Sequence, residues 1–136
     1  ALDWGEIRFG VARSDETQVL AFPLTTLQRR AGKRFPMPQF LALLDADPVV
    51  GVVVGLPISL EGEETPSSAA ARALAADVGR RTGLPVEMAD ERFTTALALD
   101  AVREMGGSTR GRKKDVDALA ATVLLQQYLD YRRAGA

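Results

Sequence analysis

The run Val49–Val54, Val-Val-Gly-Val-Val-Val, constrains the fold more than any other segment of this 136-residue chain. It is rich in β-branched residues and apolar on both faces. A strand of that kind must be covered by protein on both sides, which suits a central position in a parallel sheet. Gly55-Leu56-Pro57 follows it, and after a break comes an alanine-rich helical segment over 65–82. Gly83, just before Leu84-Pro85, is placed to cap the end of that helix. A buried strand feeding a helix is the start of a βα unit, so the fold class is α/β.

The flanking segments extend this reading. Ala1–Trp4 looks like the end of a strand, Ile7–Arg13 reads as a second and Val19–Leu27 as a third. Gly5 and Ser14-Asp15-Glu16 supply the turn signals between them. Three strands on tight turns make an antiparallel meander. Pro36–Leu44 has Met37, Phe40, Leu41 and Leu44 at helical spacing. Pro85–Ala89 is a short strand, and Thr94 or Thr95 can cap a helix to about Met105. Gly106–Lys114 reads as a mobile Gly/Ser/basic loop, and a last amphipathic helix over Asp115–Arg132 presents Leu119, Val123, Leu124 and Leu129. The expected architecture is one domain over 1–136. Its five-stranded mixed sheet combines the meander with two parallel strands and has helices on both faces. Because Ala1 already stands inside a strand-like segment, a few residues are expected to precede it. Sites in such sheets gather at the carboxyl ends of the parallel strands. Here those ends fall near Asp3, Gly55-Leu56-Pro57 and Asp90-Glu91.

The chain contains no histidine and no cysteine. That excludes imidazole-dependent hydrolase triads, His/Cys zinc sites, disulfide frameworks and thiol redox chemistry. Carboxylates, hydroxyls, lysine and arginine remain. Charge is nearly balanced, with 17 Lys+Arg against 18 Asp+Glu, so there is no general basic coat. The balance hides two clusters, Arg29, Arg30, Lys33 and Arg34, and Arg110, Arg112, Lys113 and Lys114. Clustered cations bind phosphate even on a neutral protein, although a charge run is often only solvated surface. The second cluster adjoins Asp117, which favours binding. For the first, the two readings stand equal. The most apolar run is too short to span a bilayer and is broken by Gly55 and Pro57, so a cytoplasmic protein without membrane contact is expected.

The acids at those strand ends are individually ambiguous. Asp3 in an apolar strand is costly unless paired or bound to a cation, yet it could simply bond the turn at Gly5. Asp90-Glu91-Arg92 could be a solvated loop or a helix cap. Asp115 and Asp117 open the last helix, where the dipole favours negative charge. Residues two apart face different sides of a helix, so at most one of these two serves a given site. Taken together, acids on a strand, at a strand end and at a helix start suit a divalent metal held by oxygen ligands. Such an ion can activate water for phosphodiester hydrolysis without histidine.

The motifs also carry a family resemblance. Asp3-Trp4-Gly5-Glu6-Ile7-Arg8-Phe9-Gly10-Val11-Ala12 resembles the opening motif of the YqgF/RuvX family, Holliday-junction-resolvase-like members of the RNase H-like superfamily. Gly55-Leu56-Pro57 with Gly62, Asp90-Glu91-Arg92-Phe93-Thr94-Thr95, and Val116-Asp117 through Leu129 resemble its later motifs, in the same order. The resemblance implies an RNase H-like fold and a metal-dependent nuclease. Its acidic triad would be Asp3, Glu91 and Asp117, holding one or two Mg2+ or Mn2+ ions. Asp90 would be a neighbour and not a ligand. Arg8, Arg92, Thr94, Thr95, Arg110, Arg112, Lys113 and Lys114 would contact nucleic acid. Ile7 departs from the pattern, since the family often has a second basic residue there. The implied substrates are the small-subunit (16S) rRNA precursor, at its 5′ end, and branched DNA such as Holliday junctions. The alternative is a non-catalytic RNA-binding module for ribosome assembly with the same fold. An actin-like ATPase, whose phosphate motif is similar, would need two such domains.

Overall fold

A computed structural model describes residues 1–5, 7–30, 33–57, 62–90 and 113–135; for 113–115 it describes the backbone alone. The strands are β1 (Leu2–Asp3), β2 (Arg8–Ser14), β3 (Ala21–Gln28), β4 (Val52–Leu56) and β5 (Val86–Asp90). The helices are α1 (Met37–Ala46), α2 (Pro66–Thr82) and α3 (Lys113–Gly135). The expected helix beginning at Thr94 or Thr95 lies outside the described residues.

The five strands form one sheet in the order β3-β2-β1-β4-β5. β1 and β3 each pair antiparallel with β2, while β4 pairs parallel with β1 and with β5. The expected mixed sheet is therefore observed. Pairing directions bring the carboxyl ends of β1, β4 and β5, the start of β2 and the end of β3 to one edge.

Strand alternation splits the core into two layers. Leu2, Phe9, Val11, Leu27, Val52, Val54 and Leu56 pack with Met37 and Phe40 of α1 and Ala71, Leu74 and Val78 of α2. On the other face Ala12, Val53 and Ala89 pack against Ala121, Leu124, Leu125 and Leu129 of α3. The buried stripe of α3 differs from the one expected. Leu119 and Val123 are only half-buried, and the small residues Ala118, Ala120 and Ala121 take the close positions. A helix that sits tight on a sheet needs small side chains at the contact.

Local signals explain most element ends. Thr65 caps α2 reciprocally with Ser68, and Gly83 closes it in the left-handed conformation at φ 70° with its N–H on the Gly79 carbonyl. β4 starts later than its β-branched run. Val50 is 72% exposed, and the strand enters the sheet only where Val52 donates to the Pro85 carbonyl. Among the described residues Val49–Gly51 pair with no strand, and apolar character alone does not make a strand. Lys113 and Lys114 also belong to α3 and not to the preceding loop as expected.

The β2–β3 turn is built on Asp15, whose carboxylate accepts from the Thr17 hydroxyl (2.7 Å) and the amides of Val19 (2.8 Å) and Leu20 (3.1 Å). Those bonds, the Thr17 hydroxyl first and then the two amides, hold its carboxyl below the ordinary aspartate range. They are fully present above that range and disappear as pH falls through the lowered value. The amide resonances of Val19 and Leu20 should therefore titrate together with a midpoint below 3.8. A midpoint at or above that value would remove Asp15 as the organiser of the turn. Gln126 of α3 reaches the same loop, taking the Ala21 N–H (2.9 Å) and donating to the Val19 carbonyl (2.8 Å). It completes the bonds that a neighbouring strand would otherwise make.

Among the described residues no helix is long and apolar enough to cross a membrane.

Candidate acidic site at one sheet edge

Asp3 ends β1, directly opposite Gly10 of β2. Opposed residues of an antiparallel pair project to the same face. The paired residues next along, Leu2 and Val11, both lie in the α1–α2 layer, so Asp3 and Gly10 face α3. At Gly10 the helix comes down onto the sheet. A Cβ there would stand 1.9 Å from the Asp117 carbonyl oxygen. Only glycine fits under the first turns of α3. The Asp3–Gly10–Asp117 stack thus brings Asp3 and the backbone of Asp117, two of the three expected acidic positions, to the same glycine, although 113 residues separate them along the chain. Gly10 itself was not among the expected site residues. Its signal was present in Ala118, Ala120 and Ala121, which announce a close helix, but nothing local named the strand residue beneath it.

Asp117 is half-buried, and the Arg8 guanidinium donates to it at 2.7 Å. Sequence reading placed Arg8 on phosphate; the structure places it on this carboxylate. The two side chains are 38% and 27% exposed. Ion pairs in such partly solvated surroundings contribute about 1 kcal/mol or less, so a stronger cation or a phosphate can displace this one.

The third corner is the end of β5. Asp90 pairs with Leu56 across β4 and alternates with Ala89, which faces α3. Asp90 therefore projects toward the α1–α2 face, away from Asp3 and Asp117. Glu91, Arg92, Thr94, Thr95, Arg110 and Arg112 lie outside the described residues, and for Lys113 and Lys114 only the backbone at the start of α3 is described. Among the described residues no group of three His, Cys, Asp or Glu side chains could hold a metal.

The Gly55-Leu56-Pro57 segment reaches the same edge. The fully buried Ser68 donates its hydroxyl to the Pro57 carbonyl while taking part in the α2 cap. This ties the end of β4 to the start of α2. Among the described helices, α3 is the one on the face that carries Asp3, and Asp117 lies near its start, where the dipole favours negative charge. The donor set fits a hard divalent ion. It offers carboxylate oxygens and no soft ligand, with two half-buried acids on the α3 face of one sheet edge and one cation, Arg8, already on Asp117.

The chain is similar to known proteins both in sequence and in fold. The family model described as RuvX, Holliday junction resolvase, matches residues 1–131. A protein of Anaeromyxobacter sp. named as a candidate pre-16S rRNA nuclease is 41% identical over 133 residues, covering 98% of this chain and 96% of its own. One from Maridesulfovibrio salexigens with the same name is 36% identical over 129 residues and 95% of both chains. Among solved structures, Thermus thermophilus RuvC in complex with a Holliday junction substrate superposes with a TM-score of 0.58 at 18% identity, over 98% of this chain and 93% of that one. At that identity the likeness speaks for the RNase H-like fold alone.

Proposed function

The chain belongs to the RuvX family of Holliday junction resolvases, and from that premise we propose that it is a metal-dependent nuclease that hydrolyses phosphodiester bonds in structured nucleic acid. The observation that carries the proposal is the Asp3–Gly10–Asp117 stack at the edge where β5 also ends. Asp3, Glu91 and Asp117 would hold one or two Mg2+ or Mn2+ ions. When bound, such ions supply an activated water and the charge that stabilises the departing 3′ oxygen.

The protein's own residues do the positioning. Gly10 lets α3 sit low enough for Asp117 to reach the level of Asp3. Arg8 orients Asp117 in the resting site and becomes available to phosphate when the pair opens. Arg92, Thr94, Thr95, Arg110, Arg112, Lys113 and Lys114 would hold the flanking backbone. Phosphate contacts fix position without reading bases, so specificity should follow the shape of the nucleic acid. The names of the relatives make the 16S rRNA precursor the first substrate to test, and the description of the family makes four-way DNA junctions the second.

The test is a substrate panel. Labelled precursor rRNA, single-stranded RNA and a four-way DNA junction are incubated with the protein in Mg2+, in Mn2+ and in chelator. Cleavage of at least one substrate, abolished by chelator, is expected. Tight binding with no cleavage of any substrate would replace this reading by the non-catalytic assembly module.

A further inference from the structure

The basic cluster Arg29–Arg34 has no role in the site described so far. The sheet register gives it one. β3 runs antiparallel to β2, so its end lies beside the start of β2, at the edge that carries Asp3. Arg8 pairs with Gln28, and the Arg29 amide donates to the Ile7 carbonyl at 2.9 Å. The loop after β3 therefore leaves the sheet next to the turn that follows Asp3.

This loop is built. The Lys33 amide donates to the Arg30 carbonyl (2.9 Å), and the Arg29 guanidinium donates to the Lys33 carbonyl (3.2 Å). The same guanidinium lies 5.9 Å from the centre of the Phe9 ring. Phe35 stands edge-on to Phe9 at 4.8 Å and packs on Phe40 of α1 at 5.8 Å. Arg29 thus serves as the internal strut, and Arg30, Lys33 and Arg34 remain exposed.

No described carboxylate neutralises their charge. Arg13, Arg72, Arg80, Arg81 and Arg133 each sit on a carboxylate. Arg30, Lys33 and Arg34 make no ion pair with a described carboxylate, and between Glu16 and Asp45 the chain has no acidic residue at all. The loop runs straight into the start of α1, whose dipole adds positive potential. Exposed cations that no described carboxylate pairs, beside an acidic edge, suit a polyanion that must lie across that edge.

We propose that Arg30, Lys33 and Arg34 form a second phosphate-binding arm of the site. It lies on the α1 side of the sheet, opposite the arm at the start of α3, so the nucleic-acid backbone crosses the acidic edge between the two. The ligand is the phosphodiester backbone, of RNA or DNA alike. The proposal rests on the nuclease reading and adds to it where the substrate runs.

The test uses the full chain carrying Arg30→Gln, Lys33→Gln and Arg34→Gln together. The charge-matched control carries Arg80→Gln, Arg81→Gln and Arg133→Gln, changes remote from the acidic edge. Affinity for single-stranded RNA and for a four-way DNA junction is measured in chelator across a salt series, and cleavage is measured in Mg2+. Each lost phosphate contact removes about 0.7 (single strand) to 0.9 (duplex) from the salt slope of log affinity, so the loop variant should be shallower by about 2 on single-stranded RNA and nearly 3 on the junction. Its KM should rise at least tenfold with kcat nearly unchanged, because none of the three touches the reacting atoms. The control should keep the wild-type slope. Thermal unfolding checks that both variants fold, as expected for exposed positions. A wild-type slope in the loop variant, or an equal loss in the control, overturns the arm while leaving the nuclease reading intact. A wild-type protein that neither binds nor cuts either ligand overturns both.

Discussion

The Asp3→Asn variant should fold like the wild type and cut nucleic acid more slowly by on the order of 10²–10³-fold or more. The substitution keeps shape and removes charge. One oxygen remains, and the amide nitrogen cannot ligate a hard cation. Asp3 sits at the end of the central strand β1, half-buried and facing α3, where it stacks through Gly10 on Asp117. Asparagine keeps the size and shape of aspartate at this half-buried strand end, so the fold should be retained. The expected pattern is an unchanged unfolding temperature, retained binding of RNA and lost cleavage. Cleavage within a few-fold of wild type would take Asp3 out of the chemistry.

The Gly10→Ala variant should lose both stability and cleavage. The new methyl group would stand 1.9 Å from the Asp117 carbonyl oxygen and 2.5 Å from its carbon. Both are backbone atoms, so no rotamer change relieves the clash. Helix α3 must rise, which loosens the layer of Ala121, Leu124, Leu125 and Leu129 against Ala12, Val53 and Ala89. Overpacking of this kind costs about 1–3 kcal/mol. For a chain of this size that corresponds to a fall in Tm of roughly 5–10 °C. Activity should fall further than stability, because the same shift carries Asp117 away from Asp3. Gly51→Ala is the matched control. Its Cβ meets only the Pro85 carbonyl oxygen at 3.4 Å, an ordinary contact, and it should be nearly neutral. Equal behaviour of the two variants would mean that Gly10 is not the seat of α3.

What could be read from the sequence was what local chemistry decides. Thr65 and Gly83 bound α2 because a cap and a left-handed terminus are properties of a few adjacent residues. Asp15 marked its turn for the same reason. The two-faced apolar run pointed to the interior of the sheet, where Val53 and Val54 are indeed buried on opposite faces. The start of β4 was misplaced because pairing, not hydrophobicity, sets it. Asp3 and Asp117 could be named as candidates from residue type and family resemblance. Their common level depends on a long-range contact at Gly10 that no local pattern reports. The first basic cluster was equally illegible, since its distance from the acids along the chain disappears only once the two hairpins are paired.

The central claim is that Asp3 and Asp117 belong to one divalent-ion site, and Mn2+ binding tests it without reference to any substrate. Calorimetric titration of Mn2+ into the wild-type protein, Asp3→Asn and Asp117→Asn should show binding at one or two sites in the wild type. Each single substitution should weaken it at least tenfold, while Asp130→Asn on the distant end of α3 should leave it unchanged. Wild-type affinity in both Asp3→Asn and Asp117→Asn would contradict the account, because the two carboxylates would then share an edge of the sheet without sharing an ion.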